Sequence, residues 1–226
     1  MTVGRSNAAR AAILARIRRA QGRGAASRVS EAEIEAIETY IGRHPVGPLP
    51  PVEDDVVTRF RSRAAAIQST TEMVDRLADA PVAVARYLKA NGLPAEGCVW
   101  PQLAALDWAG AGLKFAARGA EDRDLVGVTG AFAALAETGT LMLVSSPQTP
   151  GTVSLLPETH VAVVPADRIV KRMEDAWTLA RRELGELPRM VSFISGPSRT
   201  GDIDQTIVLG AHGPYRVHIV LVLNTA

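Results

Sequence analysis

Seven short apolar runs between residue 97 and the C-terminus constrain the fold of this chain more than any other feature. They are "GCVW", "LKFAA", "LVGVT", "TLMLVS", "HVAVVP", "MVSFIS" and "YRVHIVLVL". Runs of this length suit strands and are too short for helices that must bury a continuous face. The segments between them predict helices around 131–136, 166–184 and 202–209. Strands alternating with helices point to an α/β domain with a largely parallel sheet. In the last run Tyr215, Val217, Ile219 and Leu221 form an apolar face, while Arg216, His218, Val220 and Val222 form a mixed one. That mixture predicts a strand less buried than a central one.

Upstream, residues 53–91 read as helical through "VVTRFRSRAAAIQSTTEMVDRLADA" and "PVAVARYLKANG", with Pro81 at a helix start and Gly92 at its end. The first 44 residues read as two further helices. "NAARAAILARIRRA" is interrupted by Gly22 and Gly24, and "SEAEIEAIETYIG" opens on Ser30 with Glu33 at capping-box spacing. The first of them carries arginines and no acidic residue before Glu31, which fits an organellar presequence or, more economically, a solvated amphipathic helix. "HPVGPLPP" cannot continue a helix. Three parts follow: a helical arm over 1–44, a proline-rich connector over 45–52 and an α/β domain over 53–226.

A formal net charge of +1 gives no electrostatic reason to bind nucleic acid or an anionic membrane. No apolar run approaches the roughly 20 residues of a membrane span, and there is no secretory leader pattern, so a cytoplasmic location is expected. One cysteine, Cys98, precludes an internal disulfide and a self-contained iron–sulfur cluster. The four histidines lack zinc-motif spacing, and no Walker loop, GxGxxG or GxSxG elbow is present.

Two polar stretches interrupt the apolar runs. In the first, Glu137, Thr138, Gly139 and Thr140 open a strand, followed by Ser154 and His160 around the next one. In the second, a strand ends at Ser195, Gly196 and Pro197 turn the chain, and Ser198 or Thr200 is placed to cap a following helix that includes Asp202 and Asp204. A helix start offers free N–H groups to an anion, and Arg199 adds a planar cationic fork. His212 lies in a further Gly-rich turn. Each of these residues also has an ordinary structural role open to it, as cap, turn former or satisfied core histidine.

Taken in order, "GVTGAFAALAETGTLMLVSSPQTPGTVSLLPETHVAVVPADRIV" and "ISGPSRTGDIDQTIVLGAHGP" resemble the LUD-domain family over about residues 50–226. The resemblance implies a Rossmann-like sheet with flanking helices, similar to the sugar-phosphate isomerase and coenzyme A transferase superfamily. It implies a place in a bacterial system that oxidises L-lactate to pyruvate, in which two partner proteins carry the iron–sulfur clusters and this chain carries no cofactor of its own. A small anionic ligand is then expected on Thr138, Gly139, Thr140, Ser154, His160, Ser195, Gly196, Ser198, Arg199, Thr200 and Asp202, with Glu137 or His212 handling a proton. The superfamily likeness also suggests Glu137 as an acyl-accepting nucleophile. Phe132 and Gly201 depart from the family pattern, where relatives carry an acidic residue and alanine. Two other functions stay open: a stand-alone transferase or isomerase, and a non-catalytic scaffold, either with a possible homo-oligomer.

Overall fold

Apolar alternation in two parallel strands, Thr159–Pro165 and Arg216–Asn224, organises the α/β body. Residues Val161, Val163, Val220 and Val222 pack on one face of the sheet, and Ala162, Val164, Val217, Ile219 and Leu221 pack on the other. Both faces are therefore covered, as parallel sheets require. The computed structural model describes residues 3–24, 29–52, 55–203 and 206–224. It divides at Leu49/Pro50, inside the proline-rich connector.

The first unit holds α1 (Val3–Ala20) and α2 (Glu31–Arg43). Ser30 caps α2 through its hydroxyl, and the Glu33 side chain reaches back to the Ser30 N–H at 2.9 Å. The second unit runs through α3 (Val56–Ala66), β1 (Thr70–Arg76), α4 (Ala80–Ala90), β2 (Glu96–Val99), β3 (Lys114–Ala117) and β4 (Val126–Thr129). It continues with β5 (Ala133–Leu135), β6 (Thr140–Val144), β7 (Thr159–Pro165), β8 (Ile169–Val170) and α5 (Met173–Leu184). β9 (Val191–Ile194), β10 (Arg199–Ile203), β11 (Thr206–Leu209) and β12 (Arg216–Asn224) complete it.

Six strands form one sheet in the order β1-β12-β7-β4-β2-β3, and every pairing in it is parallel. Four more form a second sheet, β8-β5-β6-β9, and β10 with β11 forms a separate hairpin. α4 covers one face of the large sheet through Ala80, Ala83, Val84 and Leu88. On the other face lie α3, through Phe60 and Ala64, and the second sheet, through Ala134, Ala136, Leu141 and Leu143. The far side of the second sheet is closed by Ala176 and Ala180 of α5 against Leu135 and Met142.

Five expectations from local pattern are corrected here. The alanine-rich segment around 131–136 is β5, because Ala133, Ala134 and Leu135 are sandwiched between two cores where only an extended chain can face both. Tertiary burial overrides helix propensity. Residues 70–76 leave the helix and pair with β12. α3 stops at a Schellman turn, with the Ser69 N–H on the Ala64 carbonyl at 2.9 Å and Gln68 at φ 67°. Residues 202–203 belong to β10 and 206–209 to β11 rather than to a helix, and α5 begins only at Met173, after β8. The C-terminal strand, expected to be partly open, is central: β12 lies between β1 and β7 with Val217–Val222 buried.

Gly127 shows how tightly the layers meet. An added Cβ there would collide with the Val153 carbonyl oxygen and stand 2.9 Å from the Pro157 ring. Gly127→Ala is expected to destabilise the body by about 3 kcal/mol, whereas Gly201→Ala, with nothing near its Cβ, should stay within about 0.5 kcal/mol. Urea midpoints of the two variants measure the difference.

Candidate functional site

In an open α/β sheet the ligand crevice lies at the carboxyl ends of adjacent strands whose connections leave in opposite directions. Here those strands are β2 and β4. From β2 the chain passes outward to the edge strand β3, and from β4 it passes through the second sheet to β7 on the other side. A cleft of about 710 Å³ opens at this point. Its walls come from the residues that follow each strand: Leu77 after β1, Trp100 and Gln102 after β2, Gly130 and Phe132 after β4, and Pro165 at the end of β7. Such a volume suits an organic ligand or cofactor.

Trp100 forms part of the wall and is held by its ring N–H on the Pro150 carbonyl at 3.0 Å. The opposite rim is a polar turn. Ser146 Oγ lies 2.8 Å from Thr149 Oγ1, which donates to the Val144 carbonyl at 2.8 Å. The Gln102 N–H donates to the Gln148 carbonyl at 3.2 Å and ties the two rims together. The exposed Gln102 and Gln148 side chains are left to face a guest.

Arg168 is the cation of this cleft. Its guanidinium donates to both carboxylate oxygens of Glu183, at 3.0 and 2.9 Å, and stands 5.3 Å from the Phe132 ring centroid. The pair holds Arg168 more firmly charged and holds the Glu183 carboxyl below its usual range. A guanidinium has five N–H donors, so a fork already bound to one carboxylate keeps donors for a ligand. Among the described residues, no group of three His, Cys, Asp or Glu side chains is placed to hold a metal ion. Cys98 is fully enclosed, and burial pushes its thiol up to about 12.

The two polar stretches singled out from sequence do meet, at the last turn of α3. Gly139, at φ 72°, lets the β5–β6 turn close onto the Arg63–Ala64 backbone. Gly196, at φ 78°, does the same at the Ile67 carbonyl. The hydroxyls join across this seam: Thr138 Oγ1 donates to Thr140 Oγ1 at 2.8 Å, which donates to Ser195 Oγ at 3.1 Å. Arg199 donates to Gln68 Oε1 at 2.5 Å and to the Ile67 carbonyl at 3.4 Å. Gln68 leads into β1, so this cluster lies at the amino ends of the parallel strands, the end away from the cleft.

The remaining candidates separate. Ser198 is tied by its N–H to the Pro214 carbonyl at 2.8 Å, and Thr200 pairs with Val208 in the hairpin. The segment expected to start a helix is β10 instead, and Arg199, Thr200 and Ile203 pair with β11. Asp202 lies in β10, but its side chain falls outside the described residues, as does all of Asp204. Glu137 is half-buried, its N–H on the Lys171 carbonyl at 2.9 Å, at the opposite end of β5 from the cleft. His212 is exposed in the turn before β12. Ser154 is buried and donates to the Gly151 carbonyl at 2.9 Å. His160 is fully enclosed, with Nε2 2.7 Å from Thr129 Oγ1 and no partner for Nδ1.

Sequence reasoning missed Trp100, Gln102, Phe132, Gln148 and Arg168. The signal was available for three of them: Trp100, Phe132 and Arg168 follow the apolar runs "GCV", "VGVT" and "HVAVVP", where strand carboxyl ends must fall.

Comparison with known proteins agrees with the architecture. The LUD domain family matches residues 106–222. Lactate utilization protein C of an Exiguobacterium species is 40% identical over 119 residues, 51% of this chain and 52% of that protein. Lactate utilization protein C of Bacillus subtilis is 40% identical over 100 residues, 43% of this chain and 42% of that protein. The chain thus matches about half the length of these relatives. A crystal structure of a DUF162 family protein from Deinococcus radiodurans superposes with a TM-score of 0.56 at 24% identity, covering 76% of this chain and 99% of that one. Among the described residues, no helix is long and apolar enough to cross a membrane.

Burial of His160 and His218 has a measurable consequence. Desolvation lowers both imidazoles from 6.5 to about 4. The unfolded chain therefore takes up these protons first as the pH falls. Their contribution is complete above about pH 6.5, is lost progressively towards pH 4, and amounts to roughly 3 kcal/mol for each ring. Denaturant midpoints should drop between pH 7 and pH 4.5, and His160→Gln, which keeps a polar atom near Thr129, should flatten that drop.

Proposed function

The chain belongs to the LUD-domain family, and from that premise we propose that it serves a bacterial L-lactate utilization system as the subunit that holds an organic ligand. In this reading, iron–sulfur partner proteins carry the electrons released when L-lactate becomes pyruvate. The observation that supports the system is the 40% identity, over 119 and 100 residues, to two lactate utilization proteins C. The ligand site is the cleft between β2 and β4, because its position, volume and lining match what an α/β sheet offers a ligand.

Oxidation of a 2-hydroxy acid removes two electrons and two protons, so an acceptor is required. With one cysteine in 226 residues, this chain cannot ligate an iron–sulfur cluster alone. Cluster chemistry on partner proteins is consistent with that limit. Within the cleft, Arg168 binds a carboxylate or comparable anionic group through the donors that Glu183 leaves open. Phe132 and Trp100 enclose the apolar body of the ligand, and Gln102 and Gln148 contribute adjustable hydrogen bonds at the mouth. The cleft is larger than a three-carbon acid fills, which favours a bulkier ligand or a second molecule beside the acid.

The hydroxyl seam at Thr138, Thr140 and Ser195 then acts in positioning, fixing the second sheet against α3. Glu137, one residue away and half-buried, remains available to a partner or substrate approaching that end.

Deletion of the gene should abolish growth on L-lactate as sole carbon source while sparing growth on other carbon sources. Complementation with Arg168→Met should restore growth at least about tenfold less well than wild type, since a bidentate charge-assisted contact is lost. Glu183→Gln, which keeps the guanidinium, should restore it nearly fully. Undiminished growth of the deletion strain would remove the system assignment. Equal rescue by Arg168→Met and wild type would remove the cleft.

A further inference from the structure

The N-terminal arm has two helices of opposite charge whose apolar stripes are both open. α1 contains five arginines and no acidic residue, and α2 contains four glutamates and one arginine. On α1, Ile13 and Ile17 share a face and are 61% and 47% exposed. On α2, Ile34, Ile37 and Ile41 recur at the spacing of a helix–helix seam and are 44%, 53% and 60% exposed. Aligned isoleucines of this kind stay in water only at a free-energy cost that a partner helix would relieve.

Charge identifies the partner. Arg10 and Arg16 lie three residues either side of Ile13 and so flank its stripe, while Glu38 flanks the stripe of α2. We propose that the arms of two copies of this chain associate, α1 of each packing its isoleucine stripe on α2 of the other. One chain carries both halves of the complementary surface, so a two-fold axis satisfies both pairings at once. Within one chain, the basic segment after α1 already meets the start of α2, with Arg23 and Glu33 2.5 Å apart. Yet the isoleucine stripes of both helices remain exposed. The complementary charges of the two stripes assign the contact that buries them to a second copy, and the flanking charges set its register.

The test is a charge exchange in the full-length chain, read by light scattering coupled to size-exclusion chromatography over a concentration series. Wild type is expected at twice the chain mass. Arg10→Glu with Arg16→Glu gives α1 as well as α2 carboxylates beside its isoleucine stripe, and Glu35→Arg with Glu38→Arg gives α2 as well as α1 guanidinium groups near its stripe. Each double variant alone should dimerise about tenfold or more weakly. Mixed in equal amounts, the two should form a one-to-one dimer, because every α1–α2 contact is again between opposite charges. A monomeric wild type at all concentrations would overturn the proposal. So would a dimer insensitive to both double variants, or variants that stay apart when mixed. Retention of an unrelated partner with a monomeric wild type would assign the stripes to that partner instead.

Discussion

The insertion of β12 between β1 and β7 is the constraint on which the α/β body depends. Its nine residues, Arg216–Asn224, pair in parallel with Thr70–Arg76 on one side and Thr159–Pro165 on the other. The first strand of the sheet is therefore attached to the rest only through the last one. Closure of this core requires contacts across nearly 150 residues of chain, which makes its pairing strongly non-local. The residues of β12 fit that position: Val217, Ile219 and Leu221 fill the layer towards α3, while Val220 and Val222 fill the layer towards α4. His218 is the exception, accommodated by stacking on Tyr87 at 3.9 Å and by Thr70 Oγ1 at 2.8 Å from Nδ1.

That strand order also separates two kinds of polar chemistry. At the amino ends, hydroxyls and glycines join one another and the last turn of α3, and Arg199 holds Gln68 and the Ile67 carbonyl through Nη2. At the carboxyl ends, the same residue types leave room: the β2 and β4 connections diverge, and a cleft forms between Trp100, Phe132 and Arg168. A polar residue between buried strands is thus no guide to a ligand until it is known which end of the strand it occupies. Buried polar groups must be paired wherever they are. At one end of this sheet the hydroxyls and turns close on each other and on α3, while at the other the diverging connections leave a cleft.

Much of the architecture was legible beforehand because it rests on local signals. The Ser30–Glu33 capping box, Pro81 at the start of α4 and the breaks at Gly22 and Gly92 are each decided within a few residues. Seven apolar runs became strands for the same reason. Where pattern and structure parted, a distant neighbour intervened. "AFAALA" prefers a helix in isolation and becomes β5 because two cores face it. "TTEMVDR" continues a helical register on paper and becomes β1 because β12 lies alongside.

The sequence by itself determined the seven apolar runs that became strands, the capping box of α2, that no cluster could be ligated by a single cysteine, and which family the polar motifs resemble. Those properties follow from side-chain chemistry and short-range periodicity. Only the tertiary structure decided that β12 is central, that "SGPSRT" enters a hairpin instead of a helix, and that the open cleft is lined by Arg168 and Phe132 rather than by Glu137 and Arg199. Strand order and strand direction determine which ends lie together. Both are set by burial against residues far along the chain, which no local pattern encodes.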